Sequence, residues 1–127
     1  MYVSSNKTPL ITANTSTNGA SGEVSVVLPA QPVPTYIRAL DFQAVGTNAA
    51  TVVRVFLSKE DRTAPGNSIL WKQYTLASTT ASQTAAPAAE RKEIGEFIDA
   101  GWQIFIALGT AGTDGWRCNA ICGDYSI

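Results

Sequence analysis

An all-β domain, an antiparallel β-sandwich or jelly roll of seven to eight short strands, is predicted by three features of the sequence. Apolar and polar residues alternate in short runs, the two-residue period of a strand with one face on a core. Gly, Pro, Asn and Asp clusters bound those runs at short, regular intervals, as in sandwiches and barrels. No stretch sustains an uninterrupted helical period.

The pattern is clearest from Trp102 to Ile127. Trp102, Ile104, Ile106 and Leu108 alternate with Gln103, Phe105 and Ala107, and Trp116, Cys118, Ala120 and Cys122 alternate with Arg117, Asn119 and Ile121. Between the two runs lies Gly109-Thr-Ala-Gly-Thr-Asp-Gly115, rich in residues that tolerate positive φ. The expectation is a β-hairpin with Trp102 and Trp116 on buried faces.

Residues 1–22 are polar and rich in Ser, Thr, Asn and Gly, with one apolar island at Pro9-Leu10-Ile11. They read either as a loose terminus with an edge strand near Leu10 or as an arm that orders on a partner through Tyr2, Val3, Leu10 and Ile11. Residues 23–127 form a single β-sandwich domain. Glu23–Leu28 is its first strand, stopped by Pro29, Pro32 and Pro34, which remove donors and fix φ. Thr35–Val45 follows, with Tyr36, Arg38, Leu40, Phe42 and Ala44 on one side. Gly46-Thr-Asn48 is a turn signal, and Ala50–Ser58 is the next strand, a second hairpin candidate. Its faces are Val53/Val55/Leu57 and Val52/Arg54/Phe56. Lys59-Glu-Asp-Arg62, ahead of Pro65-Gly66, reads as a solvated loop, and Ser68–Leu76 as a strand. Residues 77–89 are low-complexity Ala, Ser and Thr, either a flexible loop or an extended segment laid on a neighbouring subunit. Glu90–Ile98 has helical spacing at Ile94, Phe97 and Ile98, but Gly95 interrupts it, which favours a strand.

Composition excludes several function classes. The net charge is −1 and the basic residues are scattered, so no patch exists to bind nucleic acid by counterion release. No run approaches the ~20 apolar residues of a membrane-spanning helix. Residues 1–13 lack the layout of a signal peptide, so synthesis in the cytoplasm is expected. Only 15% of residues are charged, against roughly 25% on average, which suits both a Ser/Thr-rich β-protein and one that gives its surface to other proteins.

Reactive chemistry is sparse. The chain has no histidine, which excludes Ser-His-Asp and Cys-His nucleophiles. Cys118 and Cys122 would sit about 13 Å apart on one strand at ~3.3 Å per residue, beyond the roughly 7 Å limit of a disulfide. They read as buried packing residues, and with no other cysteine no metal or cofactor site is expected. Glu90, Glu93, Glu96 and Asp99 cluster in sequence, but solvation or pairing with Arg91 and Lys92 fits them better than a glycosidase pair. Asp114 and Asp124 fit turn roles. Of the three tryptophans, Trp71 is the best placed for exposure as a sugar-stacking or partner contact.

The run FIDAGWQIFIALGTAGTDGWRCNAICGDY, from Phe97 to Tyr125 of 127 residues, resembles small virion proteins of tailed bacteriophages. In these an aliphatic-x-Ala-Gly turn leads into an aromatic-aliphatic strand, a Gly-Thr connection and a Gly-Trp-x-x-x-Ala-x-x-Gly-Asp-Tyr/Phe strand. The resemblance implies an accessory head protein: a non-catalytic decoration or cement subunit of sandwich or jelly-roll fold, often trimeric, on the outside of the capsid, with the major capsid protein as partner. The expected contacts are Tyr2, Leu10 and Ile11 on the arm, Thr79, Thr80 and Thr84 in the 77–89 loop, and Trp71. A carbohydrate- or receptor-binding module is the alternative, and predicts an exposed aromatic beside Asp or Asn. An enzyme would need paired carboxylates facing one cleft.

Overall fold

Eight strands pair into two four-stranded antiparallel sheets in a computed structural model that describes residues 2–87 and 89–123. They are β1 (Tyr2–Ser5), β2 (Ser25–Leu28), β3 (Thr35–Ala44), β4 (Thr51–Ser58), β5 (Ser68–Leu76), β6 (Ala89–Ile98), β7 (Gln103–Leu108) and β8 (Trp116–Gly123). One sheet has the order β1-β8-β3-β6 and the other β2-β7-β4-β5. Consecutive strands alternate between sheets, except that β4 and β5 pair directly. This is the strand order of a jelly roll, and no helix occurs among the described residues.

The core lies between the sheets. Ile37, Leu40 and Phe42 of β3 and Trp116, Cys118, Ala120 and Cys122 of β8 meet Val53 and Val55 of β4 and Ile104, Ile106 and Leu108 of β7. The alternating faces read from β4, β7 and β8 are therefore the faces observed. β3 departs from strict alternation. Its pairing shifts between Ile37 and Ala39, opposite Ile94 and Gly95 of β6. Gly95 takes φ +69, the left-handed backbone of a bulge residue. Against β8 the extra residue lies in β3 itself, since Ile37 pairs with Cys122 and Ala39 with Ile121. It reverses the phase of β3, so Leu40, Phe42 and Ala44 are buried as expected while Tyr36 and Arg38 face outward.

Both expected hairpins are absent. β7 and β8 lie in different sheets, as do β3 and β4. Alternation specifies which face of a strand is buried but not which strand it pairs with, and a sandwich offers two sheets with the same inner periodicity. The seven residues of the Gly109–Gly115 connection are enough to cross between sheets about 10 Å apart.

Residues 2–22 lie on the sandwich. β1 pairs with β8 from Tyr2↔Cys122 to Ser5↔Asn119. Asn6, buried, then substitutes for a strand residue: its Oδ1 accepts from Cys118 N at 2.7 Å and its Nδ2 donates to Trp116 O at 3.2 Å. Leu10 completes the edge by exchanging backbone hydrogen bonds with Trp116 at 2.9 and 3.0 Å. Asn14, also buried, donates to the carbonyls of Ser21 and Glu23 and so closes the following loop. That loop runs over the outer face of β4 and β7, where Phe56 and Phe105 stack at 5.2 Å and are fully buried. Arg62 fastens it, donating to Gly19 O at 2.9 Å and Gly22 O at 2.8 Å, with its guanidinium 5.7 Å from the Phe105 ring centre. Arg62 of the charged cluster is thus a clamp, whereas Asp61 is exposed as expected. Thr63 hydrogen bonds hold the Asp61 carboxyl below its ordinary range.

Candidate functional site

The alternation of sheets gathers the connections at two ends. One end, the crown, carries residues 6–24, 45–50, 77–87 and 109–115. The other, the base, carries 29–34, 59–67 and 99–102.

Asn48 organises the crown. It is buried, and it grips Gly115 on both sides, with Nδ2 donating to Gly115 O at 3.0 Å and Oδ1 accepting from Gly115 N at 2.8 Å. Gly115 has φ +100, and a Cβ there would lie 2.7 Å from Pro9 Cβ, so only glycine fits beneath the Leu10 segment. The Asn48 backbone exchanges two hydrogen bonds with Thr79. Asp114 accepts from Thr47 N at 2.7 Å, and Thr51 exchanges hydrogen bonds with Thr110 at 3.0 and 2.9 Å. Three connections are therefore held as one surface. Its exposed residues are mostly small or hydroxylated, among them Thr47, Ala49, Ala50, Thr80, Ala81, Ser82, Thr84, Thr110, Ala111 and Thr113, with Val45, Gln83 and Asp114 the larger exceptions. Asp114 is the one acidic or basic residue within 45–50, 77–87 and 109–115.

The expected contact residues divide between the two ends. Thr79, Thr80 and Thr84 belong to the crown loop. Thr79 is half-buried and donates to Gly46 O at 2.8 Å, whereas Thr80 and Thr84 are exposed. Ile11 is 46% exposed, and its carbonyl accepts from Gly112 N, which places it beside the 109–115 connection. Leu10 is core, at 7% exposure, and has no side-chain surface to offer a partner. Tyr2 is 40% exposed but pairs with Cys122 near the base end of β8. Trp71 is half-buried against the core and lies under Lys72 Nζ at 5.5 Å. It sits in a bulge, since Val55 pairs with Lys72 and Phe56 with Leu70.

The base differs. Leu57, Ile69, Phe97, Ile98, Asp99 and Trp102 line an open notch of about 200 Å³. Ile69 and Phe97 are 50% and 55% exposed. Trp102, expected in the core, is half-buried at the rim with Lys59 Nζ 5.5 Å from its ring. It precedes β7 rather than lying within it, so its apolar phase with Ile104 does not carry it between the sheets.

The remaining chemistry is structural. Cys118 and Cys122 are buried and free, and burial pushes both thiols up from their ordinary range. Arg91 pairs bidentately with Asp41 at 2.7 and 2.9 Å, and Lys72 with Glu96 at 3.0 Å. Of the carboxylates of 90–99, Glu96 is thus paired, with Lys72 of β5. Among the described residues, no three His, Cys, Asp or Glu side chains group as a metal site, and no helix is long and apolar enough to cross a membrane. Asp124 and Tyr125 lie outside the described residues.

No protein-family model matches the chain. No curated protein matches it either.

The residues that sequence reasoning missed are Asn6, Asn14, Asn48 and Arg62. Each sits in a polar or charged stretch where buried and solvated residues look alike. The only available signal was that Asn48 and Gly115 both border turn clusters.

Proposed function

We propose that the chain is a non-catalytic virion structural subunit that binds the outside of a phage capsid through its crown and stabilises the lattice. The observation that carries this reading is the crown itself. Three of its connections present a hydrogen-bonded surface made mostly of Ala, Thr and Ser, with a single charge. Docking such a surface desolvates few charged groups and orders few long side chains, which are the main costs of association. The jelly-roll strand order is compatible with the reading, since the fold serves viral capsid and lectin domains alike. The partner in this reading is the major capsid protein. Association as a trimer would add avidity across lattice sites. The test is co-sedimentation with expanded capsids of the parent phage and the melting temperature of those capsids. The reading predicts binding and a raised melting temperature. Folded protein that does neither would refute it.

A second reading is favoured by the base, where the aromatics Phe97 and Trp102 line one notch with Asp99. Aromatic faces beside a carboxylate suit a carbohydrate ligand. Glycan-array binding lost in Trp102→Ala and kept in a crown variant would select this reading.

A further inference from the structure

Trp116 and Glu90 both carry a buried polar atom that no other described residue satisfies: the indole Nε1–H and the carboxylate Oε2. The indole is a donor only, and an ionised carboxylate an acceptor only. Leaving either buried and unpaired costs roughly 1–3 kcal/mol, more for the charged group. The two residues come from different strands. Trp116 begins β8 and is 1% exposed. Glu90 pairs with Phe42, a core residue, so it points inward from β6, the outermost strand of its sheet. Both residues line one small cavity of about 50 Å³ together with Ala77, Ser78 and Thr79.

We propose that this cavity is a binding site for one ordered water, which accepts from Trp116 Nε1–H and donates to Glu90 Oε2. The size fits, since a water occupies about 30 Å³ of liquid volume and a buried one needs two to four polar partners. The chemistry fits as well, because a water supplies the acceptor the indole lacks and the donor the carboxylate lacks. The lining also contains the hydroxyls of Ser78 and Thr79. Thr79 donates to Gly46 O and accepts from Asn48 Nδ2 at 3.4 Å, which leaves its oxygen one lone pair to accept the water's second proton. The bound water joins β6, β8 and the root of the 77–87 loop. Together with the Asn48–Thr79 backbone pair, it fixes where that loop leaves the sandwich. Glu90 is thereby a positioning residue for the loop, and this role does not depend on what the crown binds.

The test uses the whole chain. Water–protein cross-relaxation is recorded at the three indole N–H groups, assigned with Trp71→Phe and Trp102→Phe. The expected result is a long-lived water contact at the Trp116 indole, and a bridging water in a high-resolution crystal structure. In Glu90→Leu the contact should vanish, and limited proteolysis within 77–87 should accelerate about fivefold, the equivalent of one ~1 kcal/mol water-mediated hydrogen bond. If Glu90→Leu fails to fold, the wild-type spectrum still decides. A Trp116 indole with no long-lived water, or one that donates directly to Glu90, would overturn the proposal.

Discussion

Crown and base are built by the same strands, yet they are held by different forces. At the crown, buried amides do the fixing: Asn48 grips Gly115, Asn6 ties the first connection to β8, and Asn14 closes the loop within it. At the base, charges lie at the surface, with Lys59 over Trp102 and Asp61 capped by Thr63. A buried amide pair costs its full desolvation if broken, whereas exposed charges exchange readily with water. The crown is therefore preorganised and nearly uncharged, as suits a surface that docks on protein. Apart from the Arg62 clamp, the charges of the base are solvated and replaceable.

Substitutions that break this contrast should differ widely in effect. Asn48→Ala should cost the most, about 3 kcal/mol, because it leaves the N–H of buried Gly115 unpaired and removes one of the two hydrogen bonds to its carbonyl, where Val45 N remains. Equilibrium urea unfolding measures it, and a loss below 1 kcal/mol would mean the crown loops hold without their hub. Arg62→Ala should cost about 2 kcal/mol, since two charge-assisted hydrogen bonds to the 19–22 backbone are lost. It should also speed proteolytic cleavage between residues 14 and 24, over Phe56 and Phe105. Among base charges, Arg62 alone should behave in this way, and Asp61→Ala, at a fully exposed carboxylate, should leave the urea midpoint unchanged.

The thiols give a pH signature. The folded state holds Cys118 protonated above its ordinary pKa of about 8.5. The folded protein therefore binds more protons than the unfolded chain in alkaline solution, and stability falls as pH rises. Stability should be full below about pH 8.5 and decline above it, by up to about 1.4 kcal/mol per pH unit for this thiol. Cys118→Ala should flatten that decline in urea titrations between pH 7 and 10. The smallest effect belongs to Lys72→Ala, which removes a partly exposed pair with Glu96 and should cost under about 0.5 kcal/mol. Its consequence would be aggregation instead, since Lys72 guards the long outer edge of β5.

The same contrast explains what the sequence could disclose. Core faces were legible because burial on one side of a strand leaves a two-residue period, as at Ile104, Ile106 and Leu108. Pairing was not, because β7 with β8 and β7 with β4 satisfy the same alternation. The bulge at Gly95 was visible as an interrupted pattern in β6, but the extra residue in β3 that turns Tyr36 and Arg38 outward was not. Thr80, Thr84 and Ile11 were readable as exposed small or apolar residues in polar stretches. That they share one end with 109–115 depends on sheet alternation, a long-range property. Leu10 was misplaced because an apolar island in a polar segment anchors equally well to its own core or to a partner.

The central claim, that the crown is the docking surface, is tested most directly by placing charge on it. Thr80→Lys with Thr110→Lys alters two exposed crown positions, and Asp61→Lys alters the base. Co-sedimentation with expanded capsids should fall at least about tenfold for the crown variant, equivalent to some 1.4 kcal/mol, and stay unchanged for the base variant. Equal binding by the crown variant and the wild type, with loss in the base variant, would contradict the account.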